Sequence, residues 1–371
     1  MPYRTFHIIF IVLVSAIAAQ YLYIMFLALY GWYKIKYFHA GIKTETVNVS
    51  LLIPFYNEER HLPALIESLN KQTLLPLEII FIDDYSTDNS CRIVEEARSS
   101  LPLIHLLKNN AGKGKKEALK AGLNNAKGEW ILQTDADCIL PERWVETFVL
   151  FIANNPETAM INGYVTYSEG KSAWYWFFEL EFLSLVFSGA GFTGAGKPVF
   201  CNGANMAYKR EEVLKLKDAF FSKIPSGDDV FLMQQLAKAG RGKISFLKNN
   251  RTVVRTSPPG SFLSFIRQRM RWGSKTPFYM SSFARYVAVM VFITNFFLLF
   301  TWAAFFSGLC TWTIPAGLSV LKFIADVPIL VSSIIFAGRP RNIAAVIPAC
   351  VLYPIYVLMV SIRSLSKKVE W

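Results

Sequence analysis

The sequence predicts an α/β domain, a mostly parallel sheet with helices on both faces, held between membrane-spanning helices. Three observations lead there. From Val47 short apolar runs alternate with helical stretches, the pattern of strand-helix-strand units. Three acidic clusters, Asp83-Asp84, Asp135-Ala136-Asp137 and Asp228-Asp229, stand in order along that stretch. Apolar segments long enough to cross a bilayer bracket all of them.

The 371 residues are 53% hydrophobic, more than a soluble domain usually carries, and membrane segments account for the excess. The first candidate span runs from Phe6 to Tyr30 with Gln20 as its strongly polar residue. Ala16-Ile17-Ala18 mimics a signal-peptide cleavage site, but the apolar run continues through Tyr23 to Tyr30, which favours a retained anchor. Lys34, Lys36 and Lys43 follow this span and only Arg4 precedes it, so the positive-inside bias assigns residues 31–280 to the cytoplasm. Three further spans are expected at Tyr286–Leu309, Thr313–Ala337 and Ile343–Ile362, with Arg339 and Arg341 in a short cytoplasmic turn. Lys322 and Asp326 are costly inside the 313–337 segment, which leaves a re-entrant hairpin as the alternative there. That alternative would return Arg363, Lys367 and Lys368 to the cytoplasm. The expected location is a plasma membrane or cell inner membrane, multi-pass.

Within the cytoplasmic part, strands are expected at Val49–Pro54, Glu78–Asp83, Leu103–Leu107 and Trp130–Thr134. Helices are expected at Glu59–Leu69, Cys91–Arg98 and Lys115–Ala126, another from Pro141, then a strand over Thr158–Val165. Ligands of such sheets bind beyond the carboxyl ends of the strands. Pro54-Phe55-Tyr56-Asn57, Asp83-Asp84 and Asp135-Ala136-Asp137 all fall there. Residues 172–188 are too aromatic for a surface helix; with Glu179 and Glu181 inside, they suit a helix lying along the membrane or one buried in a core.

Each motif also has a plainer explanation. Asp-x-Asp is common in surface turns, but after an apolar strand both carboxylates point to the same side and one can hold a hard cation. Asp88 or Thr87 can cap the helix before Cys91, which leaves Asp83-Asp84 unexplained; adjacent carboxylates at a buried strand end need a partner, and Asp84 suits a ligand's polar edge. Asn110-Ala111-Gly112-Lys113-Gly114-Lys115-Lys116 opens a helix with glycines and cations, a phosphate-binding arrangement in which Lys115 is the expected diphosphate contact. Lys113 and Lys116 read as a solvated basic turn. Cys201-Asn202-Gly203-Ala204-Asn205 reads as apolar strand after a movable loop at Gly189–Gly196. In Ser226-Gly227-Asp228-Asp229, Ser226 or Asp228 can cap the following helix; the spare carboxylate, Asp229, is the candidate general base. Gln268, Arg271 and Trp272 share one face of a helix starting near Ser261, just before the membrane, where Arg and Trp are also common interfacial residues.

The formal charge of +12 is spread along the chain and flanks apolar segments, which points to anionic lipid heads and away from nucleic acid. Cysteines 91, 138, 201, 310 and 350 lack paired metal-ligand spacing, so free thiols and no zinc are expected.

Taken together, Pro54-Phe-Tyr-Asn-Glu-Glu59, Asp83-Asp84-Tyr-Ser-Thr-Asp88, Lys115, Asp135-Ala-Asp137, Gly227-Asp-Asp229 and Gln268-Arg-Met-Arg-Trp272 resemble the motif series of membrane glycosyltransferases of family 2. The similarity is to the branch with cellulose, chitin, hyaluronan and poly-N-acetylglucosamine synthases. It implies a GT-A catalytic domain at 47–257, an N-terminal anchor at 1–32, an interfacial helix region at 258–283 and a transmembrane region at 284–371. By the same resemblance the donor is a nucleotide-sugar, usually UDP-linked: Tyr56 and Asp84 at the base, Asp135 and Asp137 around ribose and metal, with Asp137 the metal ligand, and Lys115 near the nucleotide. Gln268, Arg271 and Trp272 would bind diphosphate and acceptor, Mg²⁺ or Mn²⁺ would be the cofactor, and Asp229 would deprotonate the acceptor, inverting the anomeric carbon. The third cluster reads Gly-Asp-Asp where synthases often place an acidic residue before the base, and the chain has fewer spans than cellulose synthase. The implied activity is extension of a glycan at the membrane, with an export subunit as a candidate partner. The alternatives are transfer of one sugar to a lipid (polyprenyl phosphate, carotenoid or diacylglycerol) and, outside enzymes, a transporter or scaffold with a degenerate nucleotide-binding domain.

Overall fold

The computed structural model describes residues 2–39, 41, 47–110, 112–220, 224 and 227–366; the expectations on Lys43, Ala111, Ser226, Lys367 and Lys368 lie outside them. In chain order come α1 (Pro2–Lys34), β1 (Val49–Phe55), α2 (Leu62–Asn70), β2 (Glu78–Asp83), α3 (Ser90–Ala97), β3 (Ile104–Lys108), α4 (Lys115–Asn125), β4 (Trp130–Gln133), α5 (Trp144–Asn154), β5 (Thr158–Gly163) and β6 (Val165–Tyr167). They are followed by α6 (Tyr175–Gly194), β7 (Met206–Lys209), α7 (Arg210–Leu214), α8 (Asp228–Ala239), β8 (Lys243–Leu247), β9 (Val254–Thr256), α9 (Phe262–Gly273), α10 (Ser282–Phe306), α11 (Thr313–Phe336) and α12 (Val346–Ser366). They sort into two compact units: Lys34–Gly170 with Pro198–Pro258, and Met1–Tyr33 with Lys171–Lys197 and Pro259–Trp371.

The first unit is built on a seven-stranded sheet of order β3-β2-β1-β4-β7-β5-β8. β1 to β4 run parallel, as the alternation predicts, and β1 and β2 are buried at every position because helices cover both faces. β7 runs antiparallel to both neighbours, β4 and β5. Its reversal brings the residues that enter β7 to the rim where the residues leaving β4 emerge. α4 lies tight on the sheet at Gly122, where a Cβ would stand 2.7 Å from Ile82 Cδ1. The expected strand 158–165 is split: β5 joins the main sheet, and β6 pairs with β9 in a second, two-stranded one. Pro141 precedes a turn and the helix begins only at Trp144.

Four helices of the other unit are long and apolar enough to cross a membrane: Ile8–Lys34, Ser282–Phe306, Thr313–Phe336 and Pro340–Ser364. α11 is one helix through Pro328, so the 313–337 segment does not turn back as a re-entrant hairpin. Its ionisable pair is satisfied internally: Lys322 pairs with Asp326, Tyr21 of α1 donates its hydroxyl to Asp326 at 2.6 Å, and Lys322 lies over the Tyr21 and Tyr353 rings. Gln20 likewise accepts from Tyr286, at 2.5 Å. α6 is buried on nearly all sides, which makes 172–188 a core helix of this unit. Gly189 to Gly194, expected as a movable loop, continue that helix because the glycines serve packing: a Cβ on Gly191 would lie 2.0 Å from the Ala28 carbonyl oxygen, and one on Gly31 1.8 Å from that of Gly191.

Candidate active site

The acidic clusters meet at the carboxyl ends of β2 and β4 and at the start of α8, all within the sheet unit. Asp84 follows β2; its two oxygens accept the Gly114 N–H at 2.8 and 2.9 Å, and one also accepts from Asn109 Nδ2 at 3.0 Å. Gly114 has φ +116°, a conformation an L side chain resists, and it opens α4. The next residue, Lys115, donates to Asp135 Oδ1 at 2.6 Å and lies 3.7 Å from Asp228 Oδ2. Burial alone would lower its pKa, but Asp135 and Asp228 outweigh burial and hold the ammonium well above the ordinary lysine range. Lys115 thus contacts carboxylates here, where sequence pointed to a diphosphate.

Asp137, on the turn after β4, accepts from Thr256 Oγ1 at 2.8 Å. Glu58 is raised above its usual range by burial, and then by Asp137 and Asp135, with His61 opposing. Asp229 Oδ2 accepts the Gly203 N–H at 3.0 Å and its Oδ1 the Val230 N–H at 2.7 Å. No side chain caps α8; Gly227 at φ +85° starts it, so capping by Asp228 is not realised. Cys201 to Asn205 form a turn before β7 where a strand was expected, because Thr134 and Gln133 hydrogen-bond the carbonyls of 204 and 203 that a ladder would have used. A Cβ on Gly203 would lie 3.1 Å from Gln133 Nε2, 3.4 Å from Asp228 Oδ2 and 3.5 Å from Lys115 Nζ. Lys115 thus joins Asp135 to Asp228, Gly114 before it binds Asp84 through its amide, and Gly203 binds Asp229.

Tyr56 is 48% exposed, with Lys113 Nζ 5.7 Å from its ring. Its neighbour Asn57 takes φ +53° and accepts from Thr87 N at 2.8 Å, fixing the loop after β1 against that after β2. Asp88 accepts from Ser90 N at 3.0 Å, serving the start of α3 as expected, while the N-cap position itself is Asn89. Lys116, read as solvated, is 5% exposed and lies over the Phe231 ring.

Gln268, Arg271 and Trp272 belong to the helical unit, on α9, whose start Ser261 and Ser264 close as a capping box. Arg271 is exposed and Trp272 half-buried. Between them Arg269 is buried: it donates to Glu181 of α6 at 2.8 Å and to Gln268 Oε1 at 2.5 Å, and stacks 4.3 Å from the Trp272 ring. Tyr356 of α12 donates to the same Glu181 at 2.8 Å. Sequence reasoning missed Arg269, Gln133 and Thr256. Gln133 and Thr134, polar residues closing an apolar strand, were the available signal.

Among the described residues no three His, Cys, Asp or Glu side chains gather into a metal cage. A hard cation of the Mg²⁺ or Mn²⁺ kind often keeps one or two protein carboxylates and takes substrate phosphates and water for the rest. Asp137, oriented by Thr256 and next to the Lys115-bound Asp135, fits that use.

Residues 50–215 match the model of the family described as Glycosyl transferase family 2. The glycosyltransferase GlyG of Streptococcus pneumoniae serotype 4 is 31% identical over 129 residues, 35% of this chain and 43% of that protein. An undecaprenyl-phosphate 4-deoxy-4-formamido-L-arabinose transferase of Pectobacterium carotovorum is 38% identical over 111 residues, 29% of this chain and 34% of that protein. The chain thus spans well under half the length of these relatives. A mannosyltransferase of Pyrobaculum calidifontis, solved with GDP-Man and Mn²⁺, is similar in fold, with TM-score 0.52 and 18% identity over 96% of this chain and 99% of that one. The mixed sheet is of the GT-A type, and the segment 50–215 is similar to glycosyltransferase family 2 domains.

Proposed function

We propose that this protein is an inverting glycosyltransferase, a hexosyltransferase that moves a sugar from a nucleotide-diphosphate sugar, UDP-linked, to an acceptor at a membrane surface. The observation that carries this is that Asp84 binds the Gly114 amide while the next residue, Lys115, reaches both Asp135 and Asp228, the neighbour of Asp229, beyond the carboxyl ends of the strands. A surface cluster of capping residues would not be tied together by a lysine paired with carboxylates from two separate elements.

In this mechanism Tyr56 and Asp84 bind the base and Asp135 the ribose, with Lys115 near the nucleotide. Gln268, Arg271 and Trp272 engage diphosphate and acceptor. Asp137 would hold a divalent cation, which when bound would supply positive charge to offset that growing on the departing diphosphate. Asp229 takes the proton of the acceptor hydroxyl; that oxygen bonds the anomeric carbon as the bond to the diphosphate breaks, the nucleoside diphosphate leaves with the electron pair, and configuration inverts. One carboxylate suffices because no covalent intermediate forms. Asp229→Asn should abolish transfer, by about 10²-fold or more, while donor still binds; Asp137→Asn should weaken metal-dependent nucleotide binding. Normal turnover by Asp229→Asn refutes the base assignment.

Two acceptors remain in play. Extension of a glycan follows from the motif series, and the Pectobacterium relative, named for undecaprenyl phosphate, favours a lipid phosphate that receives one sugar. The buried pairing of Lys322 with Asp326 removes the motive for a transporter. Membranes given labelled UDP-sugars yield polymer in the first case and a one-sugar lipid in the second.

A further inference from the structure

The candidate base is held in part by a backbone amide that a buried glutamine supports. Gly203 offers its N–H to Asp229 Oδ2 at 3.0 Å, and the carbonyl of the same residue accepts from Gln133 Nε2 at 3.3 Å. Gln133 Oε1 in turn accepts the Tyr208 hydroxyl at 3.2 Å, and Thr134 Oγ1 binds the Ala204 carbonyl at 2.8 Å. Gln133, Thr134 and Tyr208 are all fully buried. A buried glutamine is costly unless both ends of its amide are matched. Here one end is anchored to a neighbouring strand and the other to the residue that touches Asp229.

We propose that Gln133 is a positioning residue for Asp229, acting through Gly203, an inference that rests on Asp229 being the base. By fixing the Gly203 backbone from its carbonyl side, Gln133 keeps the N–H aimed at the carboxylate. A hydrogen bond to the ionised form favours that form, so the base stays ready to accept a proton and its oxygens keep one orientation. A Cβ at 203 would stand 3.1 Å from Gln133 Nε2, close enough to press on that amide, and in ordinary contact with Asp228 and Lys115 at 3.4 and 3.5 Å. Sequence order alone hides the link, because strand β4 reaches the base through the backbone of another segment.

The test uses the full chain in membranes and compares Gln133→Leu, Tyr208→Phe and Asp229→Asn for donor binding and for the pH dependence of kcat. Loss of the aimed N–H raises the carboxylate pKa, so the acidic limb of kcat should move up by about one pH unit and kcat fall about tenfold in Gln133→Leu, with donor KM nearly unchanged. Tyr208→Phe, which keeps the ring and removes only the hydroxyl, should shift the limb the same way by less, and it carries the test if Gln133→Leu does not fold. A merely structural glutamine would lower the amount of folded enzyme and leave the limb in place. An unmoved limb in the folded variants, with Asp229→Asn inactive, overturns the positioning role alone; an active Asp229→Asn overturns the base assignment and this role together.

Discussion

Lys115 shows what one residue can decide. Its ammonium separates Asp135 from Asp228, and because its pKa is raised, the pairing is fully present below the ordinary lysine range and is lost only as pH rises through the higher value. Nucleotide binding should therefore stay level from neutrality to about pH 10 as far as Lys115 is concerned, and Lys115→Ala should weaken it at every pH; titration by calorimetry checks both. Thr256 acts on Asp137 in the way outer-shell partners act on metal ligands. Thr256→Val should lower Mn²⁺ affinity in the presence of nucleotide by about 10-fold, with Thr256→Ser retaining it. Asp84 and Asp135 were singled out as charges beyond strand ends and Lys115 and Asp229 as charges at helix starts, and all four fall in the sheet unit. Gln133 and Thr256 were not legible, because they work through backbone amides or through a segment distant in sequence.

At the scale of elements, β1 to β4 followed their periodicity, and β2 spans Glu78–Asp83 as expected. The misreadings share a cause. α6 looked amphipathic to a membrane surface and glycine-rich at its end, yet it is a core helix whose glutamates are matched by residues far away: Glu181 by Arg269 and Tyr356, Glu179 by Arg339 and Asn342. No local window contains those partners. Glu181→Ala leaves Arg269 buried without its counter-charge and should cost about 3–5 kcal/mol, read as a loss of thermal stability in detergent. Because Arg269 also touches Gln268 and Trp272, Glu181→Gln should disturb that helix face with a smaller loss. The reversal of β7 was equally invisible, since an antiparallel insertion leaves the same apolar pattern as a parallel strand.

For the whole molecule, four apolar helices were readable from hydropathy, and the continuity of α11 settles the segment that the ionisable residues had made ambiguous. Reporters inserted at Gly308 and Gly338, the two ends of α11, should read opposite sides of the membrane; the same side for both would contradict a spanning helix. The contacts of α1 have a consequence for biosynthesis. This helix is translated well before its tight backbone partner Gly191, its apolar neighbours Leu298 and Leu318, and the acid that accepts from Tyr21. α1 is thus made before the partners that complete its packing, and a nascent chain stopped before Asp326 leaves the Tyr21 hydroxyl still waiting for its acceptor.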